Sequence, residues 1–146
     1  GDVYKRQKPG RLTSEEFEIM KTHTTLGADM LFELGHQHAG NSLLEYAYQI
    51  ARWHHERWDG KGYPDGLKGD EIPIAAQVVS VADVYDALTS VRVYKDAIPH
   101  QEAIQMILDG KCGEFNPLLL DCLLEVQDRI AETLARPADV VAFPTI

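Results

Sequence analysis

The chain has 146 residues, of which 45% are hydrophobic and 25% charged, and its formal net charge is −9 at pH 7. This composition is typical of a soluble globular protein, and the length suits one domain or part of a larger one. The acidic charge argues against a nucleic acid polymer as ligand. No apolar run is long enough to cross a membrane. Cys112 and Cys122 lack the spacing of a zinc site or a redox pair, which predicts reduced thiols in a cytoplasmic protein.

The first predicted helix covers about residues 14–34. Thr13 and Glu16 form a capping-box pair at its start, and Gly35 predicts its end. Apolar residues at helical spacing predict an inward side made of Phe17, Met20, Leu26, Met30, Leu31 and Leu34. His23 comes three residues after a methionine of this side and is expected to point the same way.

A second helix is predicted to begin at Asn41 or Ser42 and to fray near Trp58. Its inward face consists of Leu43, Leu44, Ala47, Ile50 and Ala51. His54 follows at i+4 and i+3 from the last two of these residues, so this face leads directly to a histidine.

A long irregular loop follows over residues 59–72, with glycines at positions 60, 62, 66 and 69. Loops of this length in compact helical domains are usually functional. Two interpretations of Tyr63 stay open. The loop could present it as a stacking platform for a base, or the loop could be a structural corner with this ring packed inward.

Three more helices complete the predicted all-α fold. Pro73 suits the first turn of the third, whose helical spacing gives a face of Ala75, Ala76, Val79, Ala82, Asp83, Asp86 and Ala87. The fourth helix lies near residues 99–108, with Ala103, Ile104, Ile107 and Leu108 inside. Asn116 and Pro117 open the fifth helix, which runs to about Leu134.

Four residues with metal-binding side chains fall on inward faces or helix ends: His23, His54, His55 and Asp83. Imidazole and carboxylate ligands together suit zinc, iron or manganese. Successive residues in a helix point about 100° apart, so the adjacent histidines do not easily share one ion, and at a helix end they could bind two neighbouring metals, one each. The open alternatives are a core histidine at His23, one buried and one solvated histidine in the pair, and an exposed rim carboxylate at Asp83.

Arg92 and Lys95 form a second candidate site, because a guanidinium and an ammonium at i and i+3 could contact one phosphate. The alternative is a pair of solvated cations balanced by acids such as Asp96.

These residues stand in motifs that resemble the HD-GYP family of bacterial cyclic di-GMP phosphodiesterases. The matching stretches are KPGRLTSEEFEIMKTH (8–23), HHERWDGKGYPDGLKGDEIP (54–73), VADVYDALTSVRVYK (81–95) and GEFNPLLLDCLL (113–124). The resemblance implies an all-helical HD-domain bundle of about five helices and a partial HD-GYP domain over residues 8–136. Residues 1–7 do not match, and residues 137–146 form a tail.

The resemblance also implies an activity, in which a metal-bridged hydroxide hydrolyses cyclic di-GMP to the linear dinucleotide or GMP. It assigns His23, His54, His55 and Asp83 to two or three divalent ions, iron or manganese. It assigns Arg92, Lys95 and Tyr63 to the substrate, and the GYP loop to Asp59, Gly60, Gly62, Tyr63 and Pro64. The expected partners are cyclic di-GMP, an N-terminal sensory or receiver domain, and signalling proteins.

The chain departs from the family pattern in two places. Val93 replaces a proline, and the family's His-Asp dyad is absent from the segment before Lys8. The chain by itself is therefore expected to be weakly active or inactive. Two alternatives stay open: a non-catalytic module for protein–protein signalling, and an HD hydrolase of another nucleotide.

Overall fold

The computed structural model describes residues 13–38, 40–91 and 96–135. These residues form five α-helices and one short 3-10 helix, Gly69–Glu71. The α-helices are α1 (Ser14–Gln37), α2 (Ser42–Trp53), α3 (Ile74–Thr89), α4 (His100–Leu108) and α5 (Pro117–Ala135). Within these ranges there is no β-strand, which confirms the predicted all-α class.

The chain divides into two compact units, Gly1–Asn116 and Pro117–Ile146. In the first unit, α1 packs against α2, α2 against α3, and α3 against α4. The described part of the second unit is α5, which begins at the predicted proline. No helix in the described ranges combines the length and the hydrophobicity of a membrane-spanning segment. Cys112 and Cys122 are both free thiols. The predicted N-terminal segment 1–7 and the tail 137–146 lie outside the described residues.

Helix α1 begins as the sequence predicts and ends later. The Thr13 hydroxyl accepts a hydrogen bond from the backbone N–H of Glu16, and the Glu16 carboxylate accepts one from the backbone N–H of Thr13. The predicted stop at Gly35 is wrong, because the helix continues to Gln37. One glycine near a helix end costs only about 1 kcal/mol relative to alanine, so it need not terminate the helix.

The predicted inward side of α1 is also wrong. Leu26 is 54% exposed and Met30 is 67% exposed, whereas Thr24 and Ala28 are completely buried. A Cβ added to Gly27 would lie 3.7 Å from the Cβ of Ala51 on α2. Small residues therefore bring α1 close to α2, and the larger apolar residues are left outside this contact. Of the remaining predicted residues, Phe17 and Leu34 are exposed, and Met20 and Leu31 are half-buried.

Helix α2 is shorter than predicted, since it ends at Trp53 rather than near Trp58. Its start is confirmed, because the Asn41 side chain accepts a hydrogen bond from the backbone N–H of Leu43. On the predicted inward face Leu43 is 68% exposed, which is a correction. The other four residues of that face are half-buried: Leu44, Ala47, Ile50 and Ala51.

Helix α3 buries a more polar face than the sequence predicts. Ala76 is buried as expected, but Ala82, Asp83 and Asp86 are exposed. The buried residues are Ala76, Gln77, Ser80, Val81 and Tyr85. Polar groups can occupy this face because they have partners. The side chain of Gln77 donates to the Ile72 carbonyl at 2.8 Å and accepts from the Asn116 side chain at 3.0 Å.

Helix α4 follows the prediction closely, since Ala103, Ile104 and Ile107 are all at most 3% exposed. At its first residue, His100, the ring Nδ1 forms a 2.7 Å hydrogen bond with the hydroxyl of Tyr85 on α3. Burial raises the pKa of this Tyr85 hydroxyl. The contact joins the apolar face of α4 to the buried face of α3.

Candidate metal centre

Three of the predicted metal ligands, His23, His54 and His55, lie together. One ring nitrogen from each can be chosen so that all three lie within 4.8 Å of one another. The ring centroids of His23 lie 5.5 Å from His54 and 5.1 Å from His55. All three side chains are half-buried. The cluster joins α1 to the end of α2, and its atoms are close enough to share a small cation.

Hydrogen bonds to their own helices fix the rings of His23 and His54. Nδ1 of His23 pairs with the Met20 carbonyl, and Nδ1 of His54 lies 2.6 Å from the Ile50 carbonyl. A carbonyl oxygen can only accept, so each Nδ1 carries the hydrogen. In the neutral ring the lone pair is then on Nε2. Histidines that bind metals are commonly oriented in this way by a backbone carbonyl.

The adjacent histidines lie at the C-terminal end of α2, as the sequence predicts. His54 is the C-cap residue and His55 lies in the following turn. The two rings are 4.2 Å apart and inclined at 48°. The geometry allows both rings to face the same ion, and the number of ions stays a prediction.

Asp83 is exposed on α3 and does not belong to the set of described ligand atoms that lie within 4.8 Å of one another. Its charge nevertheless acts on two neighbours of the cluster. Burial raises the pKa of Tyr63, and the negative charge of Asp83 raises it further. Burial lowers the pKa of Arg57, and the same carboxylate partly opposes that change. Its predicted role as a ligand stays a prediction.

Tyr63 packs directly on the cluster. Its ring stacks on the ring of His55, with centroids 4.9 Å apart and an interplanar angle of 13°. The Phe17 ring lies nearly perpendicular to it, with centroids 6.2 Å apart, and the ammonium of Lys21 lies over the Tyr63 ring, 5.6 Å from its centre. One face of the tyrosine is thus occupied by His55, so a base could stack only on the other face.

The loop that carries Tyr63 lies against the backbone of the histidine pair. The Tyr63 backbone N–H donates to the His55 carbonyl at 3.2 Å. A Cβ added to Gly62 would clash with the His55 carbonyl and lie 2.5 Å from the Arg57 nitrogen and 2.6 Å from the Glu56 Cα. Only glycine allows this approach. The Tyr63–Pro64 peptide bond is cis.

Glu56 and Asp65 hold the far side of this loop. Glu56 is 2% exposed, and its carboxylate accepts from the backbone N–H groups of Asp65, Gly66 and Leu67 at 2.6, 3.1 and 2.9 Å. Burial raises the pKa of Glu56, and the three hydrogen bonds oppose that change. Asp65 accepts two hydrogen bonds from Arg52 and one from the Trp53 indole. The Arg52 hydrogen bond is the main reason that the pKa of Asp65 is lowered.

Arg57 connects several segments of the chain through hydrogen bonds, here called its hub role, and sequence reasoning missed it. Its guanidinium donates to the Cys112 and Glu56 carbonyls at 3.3 and 3.1 Å and to the Ser80 hydroxyl at 2.8 Å. It also lies over the Phe115 ring, 5.1 Å from its centre. Burial lowers its pKa. Arg57 therefore ties the segment after the histidines to α3 and to the turn before α5.

The remaining predicted site residues divide into two groups. In the loop, the Asp59 carboxylate accepts from the Lys61 backbone N–H at 3.1 Å, and Gly60 adopts a φ of +81°. Both features shape the turn that leads to Tyr63. The predicted phosphate contacts, Arg92 and Lys95, lie outside the described residues.

Sequence reasoning also missed the roles of Arg52, Trp53, Glu56 and Asp65. One available signal was the number of backbone N–H groups in the glycine-rich loop, since buried donors need acceptors.

Comparisons with known proteins agree with this geometry. The model of the HD domain family matches residues 2–117. The chain is 42% identical over 134 residues to a probable cyclic di-GMP phosphodiesterase of Vibrio cholerae, covering 90% of this chain and 30% of that protein. It is 44% identical over 134 residues to a cyclic di-GMP phosphodiesterase of Thermotoga maritima, covering 90% and 34%. It is 39% identical over 121 residues to a 3′3′-cGAMP-specific phosphodiesterase of Vibrio cholerae, covering 83% and 22%.

The chain thus spans about a third or less of the length of these curated relatives. The matched range contains α1 to α4 and the whole histidine cluster. The expected HD-type helical fold is therefore confirmed.

Proposed function

The chain belongs to the HD-GYP branch of the HD domain family, and from this premise we propose that it forms part of a metal-dependent cyclic di-GMP phosphodiesterase. The observation that carries the proposal is the cluster of His23, His54 and His55, in which two rings are held with the lone pair on Nε2. The relatives named above as cyclic di-GMP phosphodiesterases support the substrate.

The residues present fit a divalent transition metal. Three imidazoles with ligand atoms within 4.8 Å of one another are a donor set that suits zinc, iron, copper or nickel better than calcium or magnesium. We propose iron or manganese, in two or three ions, with Asp83 as a further ligand, since a carboxylate beside the imidazoles suits manganese as well. A bound ion of this kind would act as a Lewis acid toward a phosphoryl oxygen and activate water.

The protein side chains have separate tasks in this proposal. His23 and His54 present Nε2, because their Nδ1 hydrogens are donated to backbone carbonyls. Arg92 and Lys95 are proposed to contact the phosphates of the substrate, since a cationic pair would balance two phosphodiester charges. Tyr63 is proposed to contact the substrate with the part of its ring that His55 leaves open.

The setting of the domain is proposed in the same way. Residues 8–136 would form the HD-GYP part of the protein, and a sensory or receiver domain with signalling partners would accompany it. The free thiols of Cys112 and Cys122 agree with a cytoplasmic location. A purely non-catalytic docking role is not favoured, because several similar proteins are named as phosphodiesterases.

The test is an assay of cyclic di-GMP hydrolysis with Mn²⁺ or Fe²⁺. The chain is assayed alone and as a fusion to an N-terminal segment that supplies the His-Asp dyad of the family pattern, since the chain contains no His-Asp dipeptide. We expect strong hydrolysis by the fusion, weak or no hydrolysis by the chain alone, and none by a His54→Ala fusion. Rapid turnover by the His54→Ala fusion would contradict the proposed role of the cluster.

A second cyclic dinucleotide belongs in the same assay. The 39% identical relative named as specific for 3′3′-cGAMP makes this compound the main competing substrate. We expect a higher kcat/KM for cyclic di-GMP, because the relatives named for it are 42% and 44% identical. A preference for 3′3′-cGAMP would keep the reaction class and overturn the proposed substrate.

A further inference from the structure

The three clustered histidines are held by two different kinds of contact. His23 and His54 are each fixed through Nδ1 by a carbonyl of the preceding helical turn. The ring of His55 stacks on Tyr63, eight residues further along the chain, at an interplanar angle of 13°. The orientation of this third ring therefore involves the loop that follows it.

Ring orientation matters because the lone pair of an imidazole nitrogen lies in the plane of the ring. A cation bound by His55 must lie close to that plane. A parallel neighbour blocks rotation of the ring out of its plane. The Tyr63 stack thus fixes the plane of the His55 ring beside His23 and His54, whose centroids lie 5.1 and 4.2 Å from that of His55.

Tyr63 is itself held firmly. Its backbone N–H donates to the His55 carbonyl, and Gly62 packs against the backbone of the histidine segment. Two residues further on, the loop is fixed by the Glu56 carboxylate, which is buried and accepts three backbone hydrogen bonds. The backbone on both sides of Tyr63 is therefore held by contacts with residues 55–57.

We propose that Tyr63 is a positioning residue that orients His55 for metal binding, and that Glu56 supports it by fixing the loop. The proposal rests on the proposed function only in taking the three histidines as metal ligands. It assigns the tyrosine of the GYP motif a role in the metal centre itself, through its ring rather than its hydroxyl.

The test measures Co²⁺ affinity of the full chain by competition with a chelator, without substrate. Tyr63→Leu should weaken binding by about 10–100-fold, the range for residues that orient a ligand. Tyr63→Phe keeps the stacking ring and should stay within about twofold of the wild type. Tyr46→Leu is the matched control, since Tyr46 is a 55% exposed aromatic on α2, and it should leave the affinity unchanged.

A second readout separates positioning from general destabilisation. The ring protons of His55 are followed by NMR, and Tyr63→Leu should remove their upfield ring-current shift while the signals of His36 and His38 stay in place. Should Tyr63→Leu lose its cooperative unfolding transition, Glu56→Gln replaces it. This variant breaks one of the carboxylate contacts and should weaken Co²⁺ binding by several-fold.

Equal Co²⁺ affinity for Tyr63→Leu and the wild type would overturn the proposal. An equal loss in Tyr63→Phe and Tyr63→Leu would also overturn it, because the hydroxyl would then be responsible. The two proposals can fail separately. If the protein hydrolyses no cyclic di-GMP but the variants change Co²⁺ affinity as described, the positioning role of Tyr63 stands and only the proposed reaction is wrong.

Discussion

Two parts of the candidate metal centre are built in different ways. His23 and His54 are oriented within three or four residues of their own position in the chain, by hydrogen bonds from Nδ1 to backbone carbonyls. The segment of residues 55–67, here called the loop clasp, depends on contacts between residues nine to eleven positions apart. The orientation of His23 and His54 should therefore survive small structural changes elsewhere in the chain. The loop clasp should be sensitive to any change that moves Glu56 relative to residues 65–67.

The largest effect on stability is expected for Gly62→Ala in the loop clasp. The added Cβ would lie 2.5–2.6 Å from main-chain atoms of residues 56 and 57, which cannot move aside like a side chain. We expect the free energy of unfolding to fall by about 3 kcal/mol, the upper part of the range for overpacking. Urea denaturation measures this change.

Gly35→Ala is the matched control for that variant. The Cβ position of Gly35 faces open space within α1, so alanine should raise stability by about 0.5–1 kcal/mol. A Gly62→Ala protein with the same urea midpoint of unfolding as the wild type would contradict this expectation. It would show that the backbone of residues 55–57 can move to accommodate the added Cβ.

For the local part of the centre, His54→Ala removes a proposed ligand. We expect Co²⁺ affinity to fall at least about 100-fold, since residues that only orient a ligand already contribute about 10–100-fold. His38→Ala, at an exposed position, should have no effect. A similar loss in both variants would show that binding is not specific to the cluster.

A smaller effect is expected for Arg57→Lys, which keeps the charge and removes the planar fork. Lysine cannot reproduce the set of bonds to Cys112, Glu56 and Ser80. Chemical denaturation should show a loss of about 1–3 kcal/mol, because buried acceptors lose their donor. Arg129→Lys, on the exposed side of α5, should be neutral, and equal stability of both variants would refute the hub role.

The smallest effect is expected at Asp65, and it should depend on pH. The Arg52 hydrogen bond lowers the pKa of Asp65 below its ordinary value of 3.8. The charged form therefore stabilises the fold above that pH, and this contribution is lost as the pH falls through the lowered pKa. Asp65→Asn should cost less than about 1 kcal/mol at pH 7, because the pair is partly exposed.

Thermal unfolding at pH 7, 5 and 3 tests this expectation. The difference between wild type and Asp65→Asn should be constant from pH 7 to 5 and shrink by pH 3. A difference that grows as the pH falls would contradict the assigned role of Arg52.

The difference between the local ligands and the loop clasp also explains what the sequence could predict. Helix starts follow from nearby residues, so the cap at Thr13 and the start of α5 at Pro117 agree with the prediction. The histidine cluster was predicted because His54 continues a helical face and the motifs resemble a known family. Its ring tautomers follow from i−3 and i−4 contacts, which are local as well.

Contacts between distant residues could not be derived in this way. The burial of Thr24 and Ala28 in place of Leu26 and Met30 depends on how closely α2 approaches α1, which apolar periodicity does not encode. The hub role of Arg57 depends on Ser80 and Cys112, which lie 23 and 55 residues away. The sequence does not distinguish Glu56 from an ordinary charged residue, because the three backbone donors to its carboxylate lie nine to eleven residues away.

The most direct measurement of the central claim is a Zn²⁺ titration followed by NMR of the histidine ring nitrogens. The chain has six histidines, so His36, His38 and His100 serve as internal controls. We expect His23 and His54 to have hydrogen on Nδ1 before addition, and the ring signals of His23, His54 and His55 to change together while the other three stay constant. Uniform changes in all six rings, or no change in the cluster at saturating Zn²⁺, would contradict a metal centre at this position.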